Sequence, residues 1–326
     1  MHSTTLPTKA RHPLTSRQFE NECDLKQMYN LLMEGRSLTN DWHYSHVGEL
    51  AFNYFMVACH LDPREHIRLW YDDGKLVGYA VLGEDPSFDC QVLPQYEWSG
   101  IESAALRWAE ARVDELRKSN PEQWSGHLVT GSRQDNAKRI AFLEQHCFRY
   151  CGDFAEVNML RSLDDLIPES SLPDGFQVRE VSETGELADR AAIQREVWHP
   201  WTVGNVSDED YAQFMNLPGY HRNLDIITVT PGGVIAAYVN GWIDPINKIG
   251  DFGPVGARQA YRRQGFTRAA LLEGLRRMRA HGMDRVCIST GVSNTPAKQL
   301  YEAIGFRVVN RYLDYVRTTA PGRGRP

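Results

Sequence analysis

The chain has 326 residues, of which 42% are hydrophobic and 24% charged, with a formal net charge of −6. That length suggests two domains, and the composition excludes a disordered, collagen-like or coiled-coil protein. The acidic balance argues against nucleic-acid binding through phosphates, and no apolar run approaches the roughly 20 residues that span a bilayer. The N-terminus, residues 1–13, is polar, has no signal-like apolar core and reads as flexible, which implies a cytoplasmic protein. Six cysteines (Cys23, Cys59, Cys90, Cys147, Cys151 and Cys287) form no CxxC pair and read as free thiols, so no metal is expected.

In chain order, Ile67 to Tyr71 and Lys75 to Leu82 are strand-like runs flanking Asp73-Gly74, a hairpin signal. A third strand follows, then a long helix, a loop over Lys118 to His127, a short strand (His127 to Thr130), a second helix and closing strands. Ser162 to Gly175 reads as a linker. Beyond it the order repeats: Asp225 to Thr230 and Val234 to Trp242 flank Gly232-Gly233. A strand (Asp251 to Ala257) then leads to a helix in which Leu271, Leu275 and Met278 share one face and Arg276, Arg277 and Arg279 face away. Arg285 to Ser289 is the next strand, before a second helix and a last pair of strands.

The repeat is also visible residue by residue. Tyr96, Gly100, Ala104, Ala105 and Leu106 match Tyr261, Gly265, Ala269, Ala270 and Leu271 at a constant offset of 165. Asn136, Glu144, Phe148 and Arg149 match Asn294, Glu302, Phe306 and Arg307 at an offset of 158. Two collinear blocks imply two copies of one fold. The copies are assigned to residues 14–162 and 175–317, joined by a linker at 163–174 and followed by a Gly/Pro/Arg-rich, disordered tail at 318–326.

The sharpest chemical feature is Arg262-Arg263-Gln264-Gly265-Phe266-Thr267-Arg268, at a strand–turn–helix junction. Such a junction aims unpaired backbone N–H groups at one point, with the positive end of the helix dipole behind them. Gly265 lets the backbone approach a phosphate closely and the flanking arginines add charge. The alternative is a basic, Gly-containing helix start that holds no ligand.

The second copy resembles the GCN5-related N-acetyltransferase (GNAT) family. Arg262 to Thr267 stands where that family has Q/R-x-x-G-x-G/A, with Thr267 replacing the usual Gly or Ala. Gly253-Pro254-Val255-Gly256 and Asn294 to Phe306 continue the likeness, the latter as N-x-x-A-x-x-L-Y-x-x-x-G-F. The resemblance implies an α/β (α+β) fold of two tandem GNAT-like domains, each a mixed, mostly antiparallel sheet flanked by helices. It also implies acetyl-CoA as co-substrate. Backbone groups of Val255 and Ala257, around Gly256, would pair with the pantetheine arm, and the N–H groups from Arg263 to Arg268 would hold the pyrophosphate. Asn294 would contact the cofactor near its thioester, and Tyr301 would protonate the departing thiolate.

A general base is needed because most primary amines are protonated at neutral pH. Asp251 is the candidate, standing where relatives often carry Glu, with Asp244, His199 and His221 as alternatives. The first copy lacks the chemistry: its loop, Glu97 to Glu102, carries no cation, Glu102 stands where a small residue would face the pyrophosphate and would repel it, and Leu143 replaces Tyr301. Tandem arrangements of this kind resemble mycothiol synthases and antibiotic-modifying acetyltransferases. Trp198-His199-Pro200-Trp201 and Ser207 to Tyr211 combine aromatics with acids, which points to a cationic, aminoglycoside-like amine. Alternatives are a cysteinyl sugar as acceptor and a non-catalytic acyl-CoA-binding module; for Ser207 and its acids, the alternative is a helix cap. The partner is a small-molecule amine, without nucleic acid or membrane, and the protein a monomer or homodimer.

Overall fold

The computed structural model describes residues 13–318 apart from 40–42, 84–85, 122–123, 125, 153–155, 183–184 and 201–203. Residues 1–12 and 319–326, read as flexible, and Trp201 lie outside the described residues. The chain begins with β1 (Thr15–Gln18), α1 (Glu22–Thr39), α2 (Val47–Phe52), a π-helical turn (Asn53–Val57) and α3 (Pro63–His66). It continues through β2 (Ile67–Asp72), β3 (Lys75–Leu82), β4 (Phe88–Val92), α4 (Ile101–Ser119), β5 (His127–Arg133), α5 (Ala137–Gln145), β6 (Arg149–Tyr150) and β7 (Glu156–Ser162). After the linker come β8 (Gln177–Glu180), α6 (Leu187–Trp198), α7 (Asp208–Met215), β9 (Asp225–Val229), β10 (Ile235–Asp244) and β11 (Ile249–Ala257). The last elements are α8 (Phe266–Ala280), β12 (Arg285–Gly291), α9 (Thr295–Ala303) and β13 (Arg307–Thr318).

Two compact units result, and neither is one continuous stretch. The first comprises Met1–Ser45, His60–Phe154 and Tyr312–Pro326; the second comprises His46–Cys59 and Ala155–Arg311. This differs from the division at 162 and 175 that the repeat suggests. β7, which ends the first copy in sequence, runs antiparallel to β12 along its whole length, from Arg285↔Ser162 to Gly291↔Glu156. The end of β13, Tyr312 to Thr318, pairs with β5 in the first unit. Alternation along a strand sets which face is buried, not which strand it joins, so the exchange was not readable from sequence.

In the first unit β1 to β4 form an antiparallel meander. The β2–β3 turn has Asp73 and Gly74 both at positive φ (46° and 77°), a combination that matches the twist of the flanking strands. α4 buries Ile101, Ala105, Leu106, Ala109 and Val113, one helical stripe, as the sequence spacing requires. Opposite β5, Asp314 is half-buried, and burial lifts its carboxyl from the ordinary value of 3.8 to about 6. Folding therefore favours its protonated form, so stability falls as pH rises from about 4 through about 6. We expect Asp314→Asn to raise stability at pH 7.5 by about 1 kcal/mol, after allowing for partial exposure, and to flatten that pH dependence in urea titrations.

The second unit is built on a mixed sheet in the order β13-β7-β12-β11-β10-β9-β8. The β11–β12 pair is parallel, whereas β7–β12, β10–β11, β9–β10 and β8–β9 are antiparallel. α8 covers one face: Leu271, Leu275 and Met278 are buried with Ile226, Val239 and Phe252. Gly274 permits the close approach, since a Cβ there would stand 2.6 Å from the Phe252 ring. Tyr238, adjacent to Val239 in β10, packs with Ile193 of α6 and so faces the opposite side. On that side the buried Arg190 Nε lies 2.9 Å from Asp225 Oδ1, and the Tyr211 and Tyr220 hydroxyls donate to Asp225 Oδ2 at 2.7 and 2.9 Å. This charge-neutral, hydrogen-bonded cluster ties α6 and α7 to β9.

Candidate active site

The site begins where two parallel strands part. β11 and β12 are in register from Ile249↔Arg285 to Phe252↔Ile288. Beyond Phe252, β11 follows β10 while β12 stays with β7 as far as Gly291. The cause is an extra residue in β11: Gly241 pairs with Phe252 and Val239 with Val255, so one residue, Asn240, faces two, Gly253 and Pro254. This bulge at Gly253-Pro254 bends the strand and swaps its faces. Phe252 and Val255 accordingly both point toward α8, whereas Gly256 faces Tyr238 and Val197.

The loop after β11 carries the arginine-rich segment singled out in the sequence. Gly265 has φ 84° and starts α8 without a side-chain cap, and no acid stands in the first turn. A Cβ built on Gly265 would meet nothing within 4 Å, so the space in front of the helix is open. Unbonded N–H groups of a first turn, exposed and free of competing carboxylates, suit an anion. Arg262, Arg263 and Gln264 are exposed, and Arg263 holds a positive φ of 62°. Not every residue of the motif points outward. Arg262 Nε donates to the Ala257 carbonyl (3.1 Å) and Gln264 Nε2 to that of Ala260 (2.9 Å), which fixes the loop's shape. Arg268 Nη1 reaches the Glu169 carbonyl at 3.4 Å. Phe266 is buried and stacks on Phe176 with ring centroids 4.5 Å apart, so its side chain anchors the helix and only its backbone faces the cradle.

Tyr301, on α9, is 5% exposed and lies in the core cluster of the second unit. Burial pushes its phenol well above the ordinary tyrosine value, so it is protonated across the neutral range. Asn294 caps α9, its Oδ1 accepting from Ala297 N at 3.4 Å. Asn136 caps α5 in the same way, accepting from Arg139 N at 3.0 Å. The repeated asparagine is thus explained by helix capping.

Asp251 is 4% exposed. Its Oδ1 accepts from the Cys287 thiol (3.2 Å), the residue opposite it on β12, and its Oδ2 stands 4.0 Å from His46 Nδ1. That His–Asp approach is no simple ion pair. His46 Nδ1 accepts the Gly48 N–H (3.1 Å) to cap α2, and Nε2 is 3.3 Å from the Ile249 carbonyl, bonds that suit a neutral ring. The other base candidates are placed elsewhere. Asp244 shapes the β10–β11 turn, accepting from the N–H groups of Ile246 and Asn247 (both 3.0 Å) and from Asn247 Nδ2 (2.6 Å). His199 closes α6. His221 lies against His281 (centroids 5.5 Å), beyond the C-terminus of α8 and far from Gly265; burial and that neighbour lower its pKa.

The acidic segment also has a structural use. Ser207 and Asp210 form a capping box at the start of α7, and Asp208 pairs with Arg195 at 2.9 Å. We expect Ser207→Ala to cost about 1 kcal/mol in thermal or denaturant unfolding. Trp198 Nε1 donates to the Tyr238 hydroxyl at 2.7 Å, and Phe52 lies 6.4 Å from the Trp198 ring. Two residues passed over in the sequence stand beside the bulge. Trp242 Nε1 donates to the Gly253 carbonyl (3.0 Å). Asn240 is fully buried on β10, on the face of Tyr238 and Trp242, with both amide atoms lacking a hydrogen-bond partner among the described residues. A lone Asn between Val239 and Gly241 in an apolar strand was the available signal.

Residues 190–306 match the acetyltransferase (GNAT) family. That stretch lies within the second copy and includes the loop at Gly265 and Tyr301. A mycothiol acetyltransferase from Corynebacterium glutamicum (strain R) is 28% identical over 247 residues, covering 74% of this chain and 78% of the relative. One from Salinispora arenicola is 24% identical, with coverages of 78% and 82%. Among solved structures, a GCN5-related N-acetyltransferase from Sphaerobacter thermophilus has a TM-score of 0.62 at 20% identity, with 98% of each chain covered. A tandem GNAT protein from the clavulanic acid biosynthesis pathway has a TM-score of 0.64 at 14% identity, covering 95% of this chain and all of that one. These likenesses share the fold, and the second extends the GNAT plan over both copies. Among the described residues no helix is long and apolar enough to cross a membrane.

Proposed function

We propose that the second unit moves an acetyl group from acetyl-CoA to the primary amine of a small acceptor. The observation that carries this is the pairing of a bulged, diverging strand with an uncapped, acid-free helix start behind Gly265. The N–H groups from Arg263 to Arg268 hold the pyrophosphate, with Arg263 supplying charge. The backbone around Val255, Gly256 and Ala257 lines the pantetheine arm, and Asn294 fixes the helix start near the thioester. Asp251 takes the proton from the acceptor ammonium, freeing the lone pair that attacks the thioester carbonyl. Tyr301 gives its proton to the departing CoA thiolate. Electrons flow from nitrogen to carbon to sulfur; the nitrogen's second proton goes to the tyrosinate that Tyr301 leaves and the proton on Asp251 goes to solvent, so ammonium and thioester give amide, thiol and one proton.

For the acceptor, a cysteinyl sugar is the better reading. It is supported by the mycothiol acetyltransferases that align over most of the chain. The aminoglycoside reading rests on the aromatics of 198–201 together with the acids of 207–211, and two of those acids, Asp208 and Asp210, are engaged in an ion pair and a cap. Asn240, whose buried amide has no partner among the described residues, binds the acceptor in this reading. The test is thiol release from acetyl-CoA against cysteinyl sugars, aminoglycosides and simple amines. A kcat/KM for an aminoglycoside above that for every cysteinyl sugar would reverse the ranking. No release with any amine, despite acetyl-CoA binding, would leave a binding module.

A further inference from the structure

We infer that the first unit contains a second cleft of the same kind, which the chain keeps filled with two of its own side chains, Glu102 and Arg139. The inference rests on reading the second unit's loop and diverging strand as the acetyl-CoA site.

The backbone of the cradle is preserved in both copies. Trp98 and Gly100 have φ 61° and 112°, where their counterparts Arg263 and Gly265 have 62° and 84°. α4, like α8, starts from its left-handed glycine without a side-chain cap. The difference is the residue two places on. Where α8 has Thr267, α4 has Glu102, which is only 7% exposed. Its Oε1 accepts the Trp98 N–H at 2.7 Å, so a carboxylate of the chain itself meets the loop where an anion would be received. The repulsion of ligand expected from the sequence is therefore only part of the effect: the position is also taken.

The second half of the cleft is filled from α5. β4 and β5 lie in different sheets, linked among the described residues by one isolated bridge, Ser87↔Val129. Arg139 spans that divergence. Nη1 donates to the Cys90 carbonyl on β4 (3.1 Å) and Nε to the Gly131 carbonyl on β5 (2.7 Å). Nη2 lies 3.2 Å from Asp89 Oδ1 and 3.3 Å from Thr130 Oγ1. The repeat offsets align Cys90 with Val255, whose backbone lines the proposed pantetheine path, and Arg139 with Ala297, which is too short to cross. A guanidinium thus bonds the strand edge that an amide-bearing arm would otherwise pair with. Burial raises the Glu102 carboxyl above its ordinary value, and the Arg139 guanidinium works against that rise.

Isothermal titration of the full chain with acetyl-CoA tests this. Wild type should bind one equivalent, weakened about 10²-fold, and so beyond the range of the titration, in Arg263→Glu. Glu102→Gly combined with Arg139→Ala should bind two, and one should remain when Arg263→Glu is added. The new site should be about tenfold or more weaker, because its loop has no arginine. Two equivalents in the wild type, or one in a folded double variant, would overturn the inference while leaving the second unit's site intact. No binding by the wild type would end both readings. If the double variant fails to fold, hydrogen exchange in the wild type decides: the Trp98 amide should be protected without ligand and unchanged by acetyl-CoA, and a change there counts against the filling.

Discussion

Replacing Tyr301 by Phe should lower kcat for acetyl transfer by roughly 10²-fold or more, within the range that general acid catalysis supplies, while acetyl-CoA affinity stays near the wild-type value. The substitution keeps the ring that packs near Phe306, centroids 6.2 Å apart, and removes only the hydroxyl. A thiolate leaving without a proton donor in a water-poor site is a poor leaving group, so the loss falls on the chemical step. Because burial holds the Tyr301 pKa well above its ordinary value, its protonated form persists as pH rises, and no alkaline fall in rate near neutrality belongs to it. Asp251→Asn, in contrast, should remove most of the rate at every pH, because an amide cannot take the proton. Steady-state kinetics across pH separates the two roles; full activity in Tyr301→Phe would remove the acid assignment.

Arg263→Glu should weaken acetyl-CoA binding on the order of 10²-fold, since it replaces attraction to the pyrophosphate by repulsion at close range. Fold stability should change little: the Arg263 side chain is exposed, and both residue types bear the same cost of positive φ. The effect should shrink as salt is raised, because exposed charges are screened. Titration calorimetry at two ionic strengths gives both readings. Unchanged affinity would mean that the backbone N–H groups bind without help from this arginine.

Local signals carried most of what could be read in advance. The Asp73-Gly74 turn, the stripe Leu271, Leu275 and Met278, and the strand–loop–helix order around Gly265 are fixed by neighbours in sequence, and the structure has them in place. What depends on distant partners was hidden. Nothing in the sequence of β7 says that it joins β12, and nothing in Arg139 says that it reaches Cys90 and Gly131. The matched asparagines 136 and 294 invited a ligand role for one of them, whereas each first of all caps a helix. Glu102 was legible as an unsuitable residue, but its bond to the Trp98 N–H required coordinates. Asn240 was overlooked because the strand was read for its apolar neighbours.

The placement of β7 bears on how the gene could have been shortened in evolution. A polypeptide trimmed to residues 175–317 would keep the cradle, Asp251 and Tyr301, yet β12 would lose its neighbour from Arg285 to Gly291. That bare strand edge, beside the catalytic cleft, would be open to pairing with other chains. A chain of half the length would thus be prone to aggregate, which gives the first copy a reason to be inherited with the second.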